Sequence, residues 1–167
     1  LDPDLYKTAI AAIRAKAGDD LIIQATTESV GIYQPAQQIA AMDALMPEAF
    51  SVAVRELFGA PEDERAGASF LLHHAQRGAL IQYIIYDLAD LSHFDRLTAR
   101  GIIPLRGASV IFPLGRYAAG QQSSPGDLLP FLAHWSQPMP WTVCAFGKQE
   151  AQCAIAAATL GGHVRAG

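Results

Sequence analysis

Apolar runs rich in β-branched residues recur along this chain at residues 21–27, 50–56, 80–87, 109–115 and 141–147, with a short one at 163–165. Helical patterns separate them, so a strand–helix unit returns about every 30 residues, the length of a βαβ unit. Parallel strands joined by right-handed crossovers are the fold that such alternation permits. The unbroken apolar character of Leu21-Ile22-Ile23, and of Leu80-Ile81-Gln82-Tyr83-Ile84-Ile85 with its single glutamine, fits strands covered on both faces.

The helices announce their ends. Asp2 followed by Pro3 is an N-cap with a favoured first helical residue, Ile10 and Ile13 share one face, and Gly18 stops the helix. Pro61-Glu62-Asp63-Glu64 puts acids where the helix dipole favours them, and Gly78 closes that segment. Gly101 closes the helix carrying Leu91, Phe94 and Leu97. Ser124-Pro125 opens the one carrying Leu128, Leu129, Phe131 and Leu132, with Pro130 disturbing its first turns. Residues 149–160 are alanine-rich and strongly helical.

Two architectures satisfy this alternation. An open doubly wound sheet usually carries a glycine-rich first βα turn, and neither GxGxxG nor GxxxxGK[ST] is present. A closed (β/α)8 TIM barrel needs eight strands and about 250 residues. The strands counted here begin from within a crossover helix. They predict an α/β fold of the TIM-barrel class, of which about six strand–helix units lie in this chain. Residues 1–167 are expected to form one domain, with the N-terminal strands before Leu1 and the end of the barrel after Gly167.

Composition narrows the function classes. The chain is 51% hydrophobic and 17% charged, which favours an ordered globular protein. A net charge of −4 without a Lys/Arg stripe gives no footprint for nucleic acid. No apolar run approaches the roughly 18 residues of a membrane span. The first residues lack the basic and apolar regions of a signal peptide. Cys144 and Cys153 read as small, reduced core residues of a cytoplasmic protein.

Strand alternation sorts side chains into two sets. Gln24, Thr26 and Glu28 share one parity, as do Gln82 and Tyr86, and His163 and Arg165. Polar groups on strands otherwise buried on both sides are expected to point into the barrel, toward the C-terminal mouth where such folds place their active sites. Residues 115–126 form the longest loop on that face and a candidate lid. Arg55-Glu56 ends the second strand, as a local ion pair or with Glu56 at the mouth, holding Arg165 or receiving a cationic substituent. His73 and His74, adjacent on a helix, diverge and read as an ordinary amphipathic face. His93 and His134 read as surface, and His163 alone falls short of the roughly three protein ligands of a catalytic zinc. No serine stands in a nucleophile elbow.

Ile22-Ile-Gln-Ala-Thr-Thr27, Pro47-Glu48, Tyr86, Phe112-Pro-Leu-Gly115-Arg116, Trp141-Thr-Val-Cys-Ala-Phe-Gly147 and Gly161-Gly-His-Val-Arg165 occur in an order that resembles the β-keto acid cleavage enzyme family. That family includes the 3-keto-5-aminohexanoate cleavage enzymes. The resemblance spans essentially the whole chain, and Gly-Gly-His-Val-Arg is its most specific part. It implies a zinc-dependent (β/α)8 barrel, homo-oligomeric, that converts a β-keto acid and acetyl-CoA into acetoacetate and a new CoA thioester. It implies Arg165 as the active-site arginine at the last strand. Thr26 falls at a substrate-contacting serine or threonine, with Thr27 beside it, and Tyr86 counts among the substrate contacts. Glu56 stands where better-known members carry threonine or serine.

The family's zinc ligands, a His-x-His pair on the second strand and a glutamate past the arginine motif, fall outside residues 1–167. On this reading zinc would polarise the keto oxygen, Arg165 would hold a carboxylate or oxyanion, and Thr26 would hydrogen-bond a substrate oxygen. CoA would enter over the strand ends near residues 115–126 or Lys148. Two rival readings share the fold: a metal-dependent aldolase or lyase that needs no CoA, and a non-catalytic barrel-derived binding protein. Thioester exchange separates the first from the family reading, and zinc content separates the second.

Overall fold

Strand parity organises the molecule. A computed structural model describes residues 1–167 as α1 (Pro3–Ala17), β1 (Gln24–Thr26), α2 (Pro35–Leu45), β2 (Ala49–Ala53), α3 (Val54–Leu57), α4 (Glu64–Gln76) and β3 (Leu80–Ile84), continuing with α5 (Leu88–Ala99), β4 (Ala108–Leu114), α6 (Leu129–His134), β5 (Trp141–Ala145), α7 (Glu150–Thr159) and β6 (His163–Arg165). All six strands are parallel and pair in sequence order. The sheet curls into a half-barrel with its helices outside, six consecutive units of the (β/α)8 plan. No helix is long and apolar enough to cross a membrane.

The outward residues of each strand make the main core. Phe50 and Val52 of β2, Tyr83 of β3, Phe112 of β4 and Val143 of β5 join Met42, Leu71, Phe94 and Phe131 from the helices in one apolar cluster of 30 buried residues. Burying each large side chain of this kind stabilises by about 1.5–3 kcal/mol before entropy is counted. On the inward face the buried apolar cluster has only 4 members, Ala53, Ile84, Ile111 and Cys144, with Tyr86 and Phe146 against it.

Several local signals act as the sequence predicts. Asp2 Oδ1 accepts from the N–H groups of Asp4 and Leu5 at 2.9 and 3.2 Å, and Gly18 leaves the helix at φ 69°. The segment after Ser124 starts as a 3-10 turn over Pro125–Leu128 and becomes α-helical only at Leu129, next to Pro130. The pattern did not single out α2, whose residues are mostly small or glutamine. Its start is marked by Pro35 and by Gln37 Oε1, which accepts from the Gln34 N–H at 2.9 Å.

Two expectations need correction, and a third gains detail. β1 is confined to Gln24–Thr26, and Leu21 and Ile22 before it are exposed. β2 stops at Ala53, short of residue 56. Val54–Leu57 coil into one helical turn, closed by the Phe58 N–H donating to the Val54 carbonyl at 3.0 Å, and this takes Arg55 and Glu56 out of strand alternation. His73 and His74 diverge on an amphipathic helix as expected, and the inner face of α4 takes His74. It has no exposed surface and packs edge-on against Phe50 and Phe70, with ring centroids 5.1 and 4.8 Å away. Its Nε2 lies 3.0 Å from the Asp43 carboxylate.

Candidate active site

Register places the inward side chains in rows. Thr26, Ser51, Gln82 and Ser109 lie side by side across four strands. Ala53, Ile84, Ile111, Thr142 and His163 form the next row, and Pro113, Cys144 and Arg165 the one above it. Gln24 Nε2 donates to Gln82 Oε1, and Gln82 Nε2 to Thr142 Oγ1, both at 3.5 Å. The open inner face holds a cleft of about 360 Å³ whose polar lining includes Gln24, Gln82, Ser109, Thr142, His163 and Arg165.

Thr26 is the best-prepared hydroxyl of this face. Its Oγ1 accepts from Ser51 Oγ at 2.9 Å and from the Glu28 N–H at 3.0 Å. Those two donors fill its acceptor capacity, and its own proton has no protein acceptor. Incoming hydrogen bonds polarise an outgoing one, so Thr26 is disposed to donate. Thr27 lies on the opposite face. It has no exposed surface, and its Oγ1 donates to the Ser51 carbonyl at 3.2 Å, which makes it a clamp between β1 and β2, away from the cleft.

Above the strand ends, side chains from five strand exits converge. Tyr86 OH donates to Glu28 Oε1 at 2.6 Å, and Arg116 Nε lies 3.5 Å from the same oxygen. The Arg116 guanidinium carbon sits 5.6 Å from the Phe146 ring and 5.8 Å from the Tyr117 ring. Burial, and then the hydrogen bond to Glu28, push the Tyr86 phenol above its ordinary range, so it stays a neutral donor. Arg55 stacks 5.0 Å from the Tyr86 ring. Its Nε donates to Asp90 Oδ1 and Oδ2 at 2.9 and 2.8 Å, and its Nη2 pairs with Asp87. Burial lowers the Arg55 pKa, but the bonds to Asp90 and Asp87 outweigh it, so the net shift is upward. Asp90 also accepts the Tyr86 N–H at 2.9 Å, fixing that residue where β3 ends.

Glu56, leaving β2 in the helical turn, does not reach Arg165. Its Oε2 accepts from the Ser29 N–H at 2.9 Å and from Gln38 Nε2 at 3.2 Å, so it faces the connection between β1 and α2. Arg165 is exposed at the end of β6; its Nη2 lies 3.4 Å from Cys144 Sγ, and no carboxylate pairs with it.

The loop over residues 115–126 is stitched down rather than free. Gln122 packs against two glycines of positive φ. A Cβ on Gly115 would stand 2.7 Å from the Gln122 carbonyl oxygen, and one on Gly147 would stand 2.7 Å from Gln122 Oε1. Ser123 Oγ donates to the Phe146 carbonyl at 2.6 Å, and the Lys148 N–H donates to Gln122 Oε1 at 3.3 Å.

Residues 1–167 match the family model for β-keto acid cleavage enzymes over their whole length. The chain belongs to the β-keto acid cleavage enzyme family. No curated protein matches it. Family membership implies an enzyme that cleaves a β-keto acid. The residues present do not fit a metal centre: no three His, Cys, Asp or Glu side chains are grouped as ligands, and His163 stands exposed at the start of β6. Among the residues above the strand ends, Arg116 and Phe146 entered the sequence reading only inside the family motifs and not as site residues, and Glu28 only by parity. Phe146 continues the inward parity of Thr142 and Cys144, so it was findable. Arg116 was not, because Gly115, at φ 80°, turns the chain before it.

Proposed function

We propose that this protein cleaves a β-keto acid with acetyl-CoA, giving acetoacetate and a new CoA thioester. The family match across all 167 residues carries this reading. In the exchange, the bond between the keto carbon and the carboxymethyl carbon breaks. The CoA sulfur bonds to the keto carbon, and the carboxymethyl carbon takes the acetyl group. The electron pair leaving the broken bond becomes an enolate, so donors fixed before reaction lower the barrier.

The chain's own residues support those tasks. Arg165, free of any carboxylate, holds the substrate carboxylate. Thr26, with both lone pairs occupied and its proton available, donates to the oxygen that gains charge. Tyr86 bounds the substrate from above as a neutral phenol anchored on Glu28. Glu56 acts one step back, holding the Ser29 backbone at the exit of β1. Zinc, which polarises a keto oxygen when bound, would be held by residues outside 1–167, and the working protein would be a homo-oligomer.

The test uses the protein from its complete reading frame. Mixed with acetyl-CoA and a panel of short β-keto acids, it should release acetoacetate and consume the keto acid one for one. Keto acid consumed without thioester exchange would replace this reading with a lyase that needs no CoA, and no consumption of any member would overturn it.

A further inference from the structure

The mouth of the half-barrel contains a cleft of about 390 Å³ between the exits of β3 and β4, lined by Arg55, Tyr86, Asp87, Arg116, Tyr117 and Asp127 among others. Most of its charges are already matched. Arg55 is bound to Asp87 and Asp90. Asp87 also accepts the Asp90 N–H at 2.9 Å. Asp127 accepts from the Ser124 N–H and Oγ at 2.8 and 3.2 Å. Arg116 differs. Only its Nε approaches a carboxylate, at 3.5 Å, and neither terminal nitrogen has an acceptor. Its side chain is only 26% exposed and lies between two aromatic rings, which orient the guanidinium plane. A guanidinium so held offers a planar pair of N–H donors, the geometry that a carboxylate fills with two bonds. Two terminal nitrogens left without acceptors in a half-buried place also cost free energy, which an arriving anion recovers.

The geometry points to Arg116 as a specificity determinant that receives a second anionic group on the substrate, so that the preferred keto acid is a β-keto dicarboxylate. The inference rests on the reading of the protein as a β-keto acid cleavage enzyme and deepens it. Arg165 at β6 and Arg116 after β4 then take the two ends of one substrate. Glu56 is turned toward α2, and the carboxylates near the cleft are already engaged: Asp87 by Arg55, Asp127 by Ser124, and Glu28 by Tyr86 and Arg116 together.

The complete protein is assayed with 3-oxohexanedioate and 3-oxohexanoate, which differ by the distal carboxylate, and with acetyl-CoA varied separately. The kcat/KM ratio of diacid to monoacid should favour the diacid by about 100-fold and fall to within about threefold of one in Arg116→Gln. Arg116→Lys should retain an intermediate ratio, because the charge stays while the fork is lost. The KM for acetyl-CoA should not move. If Arg116→Gln raises that KM and leaves the ratio alone, the anion is a CoA phosphate and the inference falls. A wild-type ratio near one also overturns it, while leaving the cleavage reading in place.

Calorimetry with glutarate and butyrate gives an arm that needs no turnover. Glutarate binding that is lost in Arg116→Gln, in a protein that cleaves no keto acid, keeps the anion subsite and sinks the cleavage reading. Equal binding of glutarate and butyrate sinks the subsite.

Discussion

The two faces of the same strands obey different rules. Residue 83 points outward and is a tyrosine buried among Phe94 and its neighbours. Residue 82 points inward and is a glutamine in a loose chain of amides and hydroxyls. The pattern repeats across Ser51 and Val52, and again across Ser109 and Val110. Stability is concentrated on the helix side, where close-packed apolar surface leaves water. The inner face instead keeps donors that a finished fold does not use, of which the Thr26 proton is the clearest. A scaffold that stores its stability on one face is free to carry chemistry on the other.

The sharpest way to break this comparison is to truncate neighbours on opposite faces. Tyr83→Ala should cost about 3–5 kcal/mol, by analogy with large aromatic truncations in cores. Gln82→Ala should cost less than about 1 kcal/mol, since its two bonds are long and its side chain is only partly buried. Denaturant titration of both variants reads the difference. Equal losses would mean that the inner face is as much a core as the outer one.

Thr26→Val sharpens the same contrast from the inner side. The shape is kept and the donor removed, so kcat should fall about 100-fold, equivalent to about 2.7 kcal/mol of barrier. Its stability should move by no more than about 1 kcal/mol. A variant that unfolds easily but turns over normally would make Thr26 a strut between β1 and Ser51, with no part in turnover.

These contrasts also mark what was legible beforehand. Periodicity revealed the alternation, the outward core and the inward parity of Gln24, Thr26, Gln82 and Arg165, because each depends on a strand repeat of two residues. It failed where the repeat ends. Glu56 was carried along the strand when the chain had already coiled at Val54. Thr27 was grouped with Thr26 by adjacency, although adjacent strand residues face opposite ways. Arg116 owes its place to a left-handed glycine turn and two aromatic rings from separate segments, which no local pattern encodes. The partners of His74 were hidden for a related reason: Phe50 and Asp43 come from a strand and a helix remote in sequence.

A smaller effect probes a flaw in the outer face. The Tyr83 hydroxyl is buried without a hydrogen-bond partner, and burial raises its pKa well above the ordinary phenol value. A hydroxyl stripped of water and left unpaired is a net cost, so Tyr83→Phe should stabilise by about 1 kcal/mol. Denaturant titration that finds the variant weaker than the parent would mean that a buried water or an alternative rotamer satisfies the hydroxyl.

The last test asks how dry the outer face is at its one buried histidine. Burial holds the His74 pKa below its ordinary 6.5, Asp43 pulls it up, and Arg77 and His73 push it down. In the unfolded chain the imidazole titrates near its ordinary value, and in the folded chain only at lower pH. Between those two values the unfolded state binds the proton first, so acidification favours unfolding. The contribution of the neutral imidazole is therefore complete above about pH 6.5 and shrinks as pH falls toward the folded value. His74→Gln removes the titrating group while keeping an amide near Asp43, so its stability should follow pH less steeply than the parent's below pH 6.5. Parallel curves for the two proteins would mean that Asp43, 49% exposed at its side chain, brings enough water or charge to cancel the burial. The helix-facing layer would then be less sealed at α2 and α4 than its aromatic packing implies.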